Sequence, residues 1–153
     1  MTAKPYVSNK PEDRLSIAVD RFLRRSLVPP FYCTAIQDSD HGSRTMLQRV
    51  RDHNRGVQKG ILDWDINQWP GLNCKLELKR GKNQLTEAQE ATVAQLNACL
   101  LKPVVAWTLQ EVYEGLSVMG FRFVPQVDTV LQHCQAQLEA WDREAALVLA
   151  GAK

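Results

Sequence analysis

Residues 60–79 read GILDWDINQWPGLNCKLELK, and Pro70-Gly71 divides them into two runs of alternating apolar and polar residues. Such alternation is typical of a strand with one face in the core and the other outside it. A Pro-Gly pair is a strong turn signal. The stretch therefore predicts an antiparallel hairpin, with strands over residues 60–66 and 72–79.

The polar face of the predicted hairpin carries two pairs of facing charges. In a register symmetric about the turn, Asp65 faces Lys75, which compensates it. Asp63 faces Glu77 in the same register, and like charges directly opposite each other destabilise a sheet by roughly 0.2–1 kcal/mol. Within the hairpin, Lys79 is the only candidate counter-charge for these two carboxylates, so the pair keeps a net negative charge. We therefore expect an uncompensated carboxylate pair that holds a divalent cation, because carboxylate oxygens suit Mg²⁺.

Periodicity outside the hairpin predicts further helices and strands. The predicted elements are a helix over residues 11–27, a strand over 31–36, a short basic helix over 45–53, a helix from Thr86 towards Pro103, a strand over 104–107 and a helix over 109–119. A strand, a helix and a strand at this spacing form a βαβ unit with parallel strands. The expected fold is α/β, with a small mixed sheet flanked by helices.

The last predicted element is one long helix over residues 126–150. Its apolar residues recur at alternating steps of four and three: Val127, Leu131, Cys134, Leu138, Trp141, Ala145 and Val148. This spacing is that of a coiled-coil seam, which packs either on its own domain or on a second copy of the chain. The expected organisation is a flexible segment over 1–10, a core over 11–125 and a C-terminal helix over 126–153, a candidate dimer contact.

The first helix supplies a candidate third acid. At about 100° per residue, Glu12 lies about 40° from the centre of the apolar stripe. Asp13 and Asp20 lie more than about 100° away and are expected to face solvent. A glutamate on the packed side of a helix is costly unless it is paired or bound to a metal. We therefore expect Glu12 to join the carboxylates of the hairpin.

Basic residues are concentrated in one half of a chain whose net charge is only +2. One group, between positions 41 and 59, consists of Arg44, Arg49, Arg51, Arg55 and Lys59. Arg80 and Lys82 follow the second strand of the hairpin. This distribution favours a partner with negative charge, such as nucleic acid, although a solvated basic loop would give the same pattern.

Targeting and redox features indicate a cytoplasmic location. No run of eighteen apolar residues is present, and residues 1–10 lack the apolar core of a signal peptide. The cysteines are scattered and form no C-x-x-C pair. We therefore expect reduced thiols rather than disulfides or a zinc site.

Three short stretches resemble the VRR-NUC family of the PD-(D/E)XK nuclease superfamily. They are residues 59–63, with Gly60 three residues before Asp63, residues 76–80, which contain Glu77-Leu78-Lys79, and residues 85–89, which contain Thr86 and Gln89. The resemblance covers roughly Glu12 to Met119 and implies a restriction-endonuclease-like core. One position departs from the family's pattern, since Leu62 stands where a proline usually precedes the aspartate.

The resemblance also implies a metal-dependent active site. Asp63 and Glu77 would bind Mg²⁺ or Mn²⁺ together with the backbone carbonyl of Leu78. Glu12 matches the acidic residue of the family's first helix. Lys79 would be the catalytic lysine.

The activity that the resemblance implies is endonucleolytic hydrolysis of DNA, with water as the nucleophile. Gln89 matches a glutamine that is thought to hold the catalytic lysine. Stand-alone members of the family are associated with junction resolution, so branched or four-way junction DNA is the expected substrate. Two symmetric cuts would require a homodimer. The alternative is a nucleic-acid-binding or assembly module that kept the fold and lost catalysis.

Overall fold

The computed structural model describes residues 10–36 and 60–151 of the 153-residue chain. The predicted short basic helix over 45–53 lies outside the described residues. The same holds for part of the predicted nucleic-acid contacts, namely Arg44, Arg49, Arg51, Arg55 and Lys59. No helix within the described ranges combines the length and the apolar character needed to cross a membrane.

A four-stranded mixed sheet forms the centre of the described structure. Its strands are β1 (Phe31–Ala35), β2 (Trp64–Gln68), β3 (Leu72–Leu78) and β4 (Val104–Ala106), in that spatial order. β2 is antiparallel to both β1 and β3, whereas β3 and β4 are parallel. The predicted mixed sheet is thus confirmed.

Four helices accompany the sheet in the described ranges. They are α1 (Pro11–Ser26), α2 (Glu87–Ala98), α3 (Leu109–Val118) and α4 (Val127–Gly151). α2 connects the parallel strands β3 and β4, so the predicted βαβ unit is present. The α/β class expected from the sequence is confirmed.

The observed register of β2 and β3 matches the prediction. Asp65 pairs with Lys75 in the sheet, and their side chains form an ion pair of 3.0 Å. The predicted start of the first strand is wrong, because β2 begins at Trp64 and not at Gly60. Gly60 has φ +76, and a Cβ there would lie 2.5 Å from the carbonyl carbon of Ala88. The chain passes this close to α2 in a turn before it joins the sheet.

The core lies between the helices and one face of the sheet. Leu15, Val19 and Phe22 of α1 are fully buried, as the apolar stripe predicted. Ile66 and Leu76 of the hairpin belong to the same cluster. The polar side of the hairpin is thereby directed away from this cluster, because successive strand residues point to opposite faces.

The predicted C-terminal seam packs on its own domain. Leu131, Cys134 and Leu138 are buried in the same core as the stripe of α1. Between the two helices, Nη1 of Arg21 donates to Oε1 of Gln137 at 2.9 Å. α4 is therefore part of the folded core, and the homodimer stays a prediction.

Candidate active site

A pocket of about 320 Å³ lies where β3 ends and β2 begins. It is lined by Glu12, Asp13, Ser16, Ala35, Ile36, Asp63, Glu77, Leu78, Lys79 and Gln89. The residues that the sequence assigns to metal binding or catalysis are all in this set. Asp13, expected to face solvent, is exposed and also lines the pocket, because it adjoins Glu12 in the first turn of α1.

A buried ion pair lies at the floor of the pocket. Nζ of Lys79 is 2.8 Å from Oε1 of Glu77, and the two side chains are 10% and 1% exposed. Lys79 also donates to Oε1 of Gln89 at 2.9 Å, while Nε2 of Gln89 donates to the same oxygen of Glu77. The three side chains form a closed triangle of hydrogen bonds, which fixes the position of the lysine ammonium.

Gln89 also begins helix α2. Its Oε1 accepts from the backbone N–H of Thr86 at 2.9 Å, and its own N–H donates to Oγ1 of Thr86 at 3.3 Å. This reciprocal arrangement is a capping box. One amide side chain therefore caps the helix and holds the lysine.

Asp63 is held by the backbone of β3. Its Oδ2 accepts from the N–H of Leu78 at 2.7 Å, so the carboxylate lies beside the end of that strand. The expectation of an uncompensated carboxylate pair is wrong for Glu77, because Lys79 pairs with its Oε1. The expectation that Asp63 and Glu77 share one surface is met, since both line the pocket.

The second oxygen of Glu77 is the unusual atom of the site. Oε2 is buried and has no hydrogen-bond partner among the described residues. Burial raises the pKa of this carboxyl to about 7; the hydrogen bond from Lys79 lowers the pKa, and the charge of Asp63 raises it. A buried acceptor without a partner destabilises the fold by about 1–3 kcal/mol, so binding of a proton or a cation at this oxygen would be favourable.

The described residues fit a divalent cation with few protein ligands. No group of three or more His, Cys, Asp or Glu side chains able to hold one ion exists in the described ranges. Oε1 of Glu12 accepts from Nδ2 of Asn83 at 2.7 Å. Asp63, Glu77 and the carbonyl of Leu78 are the candidate ligands, and Glu12, which also lines the pocket, stays a predicted further ligand. That set suits Mg²⁺, which commonly takes one or two carboxylates and keeps several waters.

The two predicted nucleic-acid contacts within the described ranges differ in their surroundings. Lys82 is exposed. Nη2 of Arg80 donates to Oδ2 of Asp142 on α4, and Oδ1 of the same carboxylate pairs with Nε of Arg14 at 2.8 Å. Arg80 is therefore engaged within the protein, and its role as a phosphate contact stays a prediction.

Sequence reasoning missed the residues that support the pocket from a distance. Arg14 is only 6% exposed, and Asp142 joins it to Arg80 across α1, α4 and the end of β3. One signal was present, because Arg14 lies four residues before Ala18 on the packed side of α1, where an arginine requires an acidic partner. No signal marked Asn83, a loop residue that binds Glu12.

Comparison of the chain with protein-family models, with curated proteins and with solved structures gives no match. The function is therefore inferred from the chemistry of the pocket.

Proposed function

We propose that this protein is a metal-dependent endonuclease that hydrolyses DNA phosphodiester bonds with Mg²⁺ or Mn²⁺. The observation that carries the proposal is the meeting of Asp63, Glu77 and Lys79 in one pocket, with a buried oxygen of Glu77 that lacks a described partner. A carboxylate-held cation beside a cationic group can promote phosphodiester hydrolysis, because it activates water and neutralises charge on the phosphate.

Each side chain has a distinct task in this proposal. Asp63 and Glu77 hold the cation, with the carbonyl of Leu78 as a further ligand. The cation, when bound, lowers the pKa of a coordinated water and neutralises charge on the phosphate. Lys79 stabilises the charge that develops on the phosphate oxygens. Gln89 is a positioning residue, because it orients Lys79 through the contact of 2.9 Å.

The finer fold assignment is part of the same proposal. A helix, a strand, an antiparallel hairpin, a second helix and a parallel strand follow one another along the chain. This order supports a restriction-endonuclease-like core, and the Glu77-Leu78-Lys79 stretch at the end of β3 supports the VRR-NUC resemblance. Branched or four-way junction DNA is the proposed substrate, and a homodimer the proposed assembly, by analogy with that family.

A second candidate is a catalytically inactive nucleic-acid-binding module. The absence of a three-ligand metal group within the described ranges favours it. So does the ion pair between Lys79 and Glu77, which neutralises one oxygen of a proposed metal ligand. A cleavage assay separates the two candidates.

The test compares each catalytic residue with a residue of the same type elsewhere in the hairpin. Asp63→Asn and Lys79→Met are expected to lower kcat on labelled branched DNA by at least about 100-fold with Mg²⁺ or Mn²⁺. Asp65→Asn and Lys75→Met change a neighbouring ion pair of 3.0 Å and are expected to stay within about threefold.

Titration calorimetry with Mn²⁺ provides a readout that is independent of cleavage. Asp63→Asn is expected to weaken Mn²⁺ binding, and Asp65→Asn to leave it unchanged. Inert wild-type protein on single strands, flaps and junctions would support the binding module instead.

A further inference from the structure

The pocket lies at one end of a polar sheet surface. Tyr32 pairs with Asn67, and Asn67 pairs with Asn73, so their three side chains point to one face of the sheet. Glu77 follows Asn73 by four residues within β3, and alternation places these two side chains on one face. The row Tyr32–Asn67–Asn73 therefore lies on the sheet face that carries Glu77 of the pocket, about 13 Å from that residue along β3 at about 3.3 Å per residue.

A groove of about 420 Å³ opens beside this row. Tyr32 and Trp69 line it, and each is 62% exposed. The guanidinium carbon of Arg122 lies 5.8 Å from the centre of the Trp69 ring. Two exposed aromatic rings in one groove, with a guanidinium beside one of them, are typical of sites that bind a planar, negatively charged partner.

The wall of the groove is held in place by the protein's own hydrogen bonds. The N–H of Trp69 donates to the carbonyl of Pro30 at 3.2 Å, and Nη2 of Arg122 donates to the carbonyl of Trp69 at 2.9 Å. Next to Trp69, the buried amide of Gln68 accepts from the N–H of Arg122 at 2.6 Å. A wall fixed in advance lowers the entropic cost of binding.

The floor of the groove presents a hydrogen-bond acceptor. Nδ2 of Asn73 donates to Oδ1 of Asp65 at 2.9 Å and to Oδ1 of Asn67 at 2.8 Å, which uses both of its hydrogens. No described residue donates to Oδ1 of Asn73, so this oxygen can accept from the exocyclic amine of a base.

We propose that the groove binds an unpaired nucleobase of the DNA strand that reaches the pocket. The proposal rests on the proposed nuclease function and adds a second contact on the same surface. The base stacks on the ring of Trp69 or Tyr32, Oδ1 of Asn73 accepts from its amine, and Arg122 attracts the neighbouring phosphate. The groove thereby selects substrates with a single-stranded branch, because a paired base is not free to stack there.

The test measures binding in EDTA, which prevents cleavage. Fluorescence anisotropy gives the Kd of wild-type protein for duplex DNA with a short unpaired branch, and for the same DNA with abasic residues in the branch. Trp69→Ala and Tyr32→Ala are expected to raise the Kd for the branch that carries bases by roughly 5- to 100-fold. Trp69→Phe keeps a ring and is expected to retain most of the affinity.

The abasic branch separates base stacking from a structural role. It keeps the phosphates and removes the bases, so wild-type protein and Trp69→Ala are expected to bind it equally. Leu100→Ala removes a side chain that is 87% exposed after α2 and serves as the control. A Trp69→Ala loss of the same size on both branches would overturn the proposal.

Two further outcomes would also overturn it. One is an unchanged Kd for both alanine variants while Asp63→Asn still abolishes cleavage, which leaves the nuclease proposal intact. The other is a change in self-association of Trp69→Ala, measured by light scattering, without a change in DNA affinity. That outcome would assign the groove to a protein contact. Failure of wild-type cleavage with normal branch binding would refute the nuclease proposal alone.

Discussion

At the scale of single residues, the carboxyl of Glu77 makes the site sensitive to pH. Its folded-state pKa is about 7, against an ordinary value of 4.5, and burial is the main cause. Between these two pH values the folded protein therefore holds a proton that the unfolded chain has lost. Stability contributed by this group is greatest below pH 4.5 and falls as the pH rises towards 7.

We expect wild-type protein to lose about 1–3 kcal/mol of unfolding free energy relative to Glu77→Gln as the pH rises from 4.5 to 8. The reason is that the glutamine variant has no proton to release at this position. Urea denaturation at several pH values measures the difference. Asp65→Asn is the control, and a difference of equal size for that variant would contradict the assignment to Glu77.

The proposed metal site would link pH to metal affinity. A cation would bind the ionised carboxylate of Glu77, so metal and proton would compete there. Stabilisation of the fold by Mn²⁺ should consequently be larger at pH 8 than at pH 5.5.

At the scale of elements, the contact between Gly60 and α2 determines where Gln89 lies. A Cβ at position 60 would come 2.5 Å from the carbonyl carbon of Ala88 and 2.9 Å from the N atom of Gln89. These are backbone atoms of the first turn of α2, so they cannot move without moving the helix. The triangle of Gln89, Glu77 and Lys79 depends on that turn.

Gly60→Ala is expected to destabilise the fold and to lower DNA cleavage, because α2 must shift and release Lys79. Gly81→Ala is the matched control, since Gly81 has φ +61 and nothing within 4 Å of an added Cβ. Left-handed strain costs about 1 kcal/mol in both variants. Thermal denaturation and kcat should show an excess loss for Gly60→Ala only, and equal losses would argue against the clash.

The hairpin and its surroundings also show what a sequence pattern can predict. Alternation fixes which residues share a face, so the register and the meeting of Asp63 with Glu77 followed from the sequence alone. The start of β2 did not, because it depends on the approach of α2 to Gly60. The contact between Glu12 and Asn83 spans 71 residues and the pair of Arg14 with Asp142 spans 128, and no local pattern encodes such distances.

At the scale of the whole molecule, one carboxylate joins three parts of the chain. Asp142 of α4 binds Arg14 of α1 and Arg80 after β3. The Arg14 side chain is 7% exposed, so protein partners such as Asp142 must replace the water that would otherwise solvate it. Removing one member of a buried pair costs far more than removing an exposed one.

Asp142→Asn is expected to reduce the unfolding free energy by about 2–4 kcal/mol. Asp20→Asn serves as the matched control, because Asp20 also pairs with an arginine at 2.8 Å, at a site that is exposed. Its cost should stay below about 0.5 kcal/mol. Equal midpoints of urea denaturation for the two variants would contradict a stabilising role for Asp142.

The packing of α1 against α4 has a consequence for folding during translation. Arg14 and Asp142 are 128 residues apart, so a ribosome that adds about 5–20 residues per second produces the second helix roughly 6–26 seconds after the first. During that interval the apolar side of α1 lacks its partner helix α4. Until translation reaches α4, this surface must therefore be covered by chaperones or by a transiently collapsed chain.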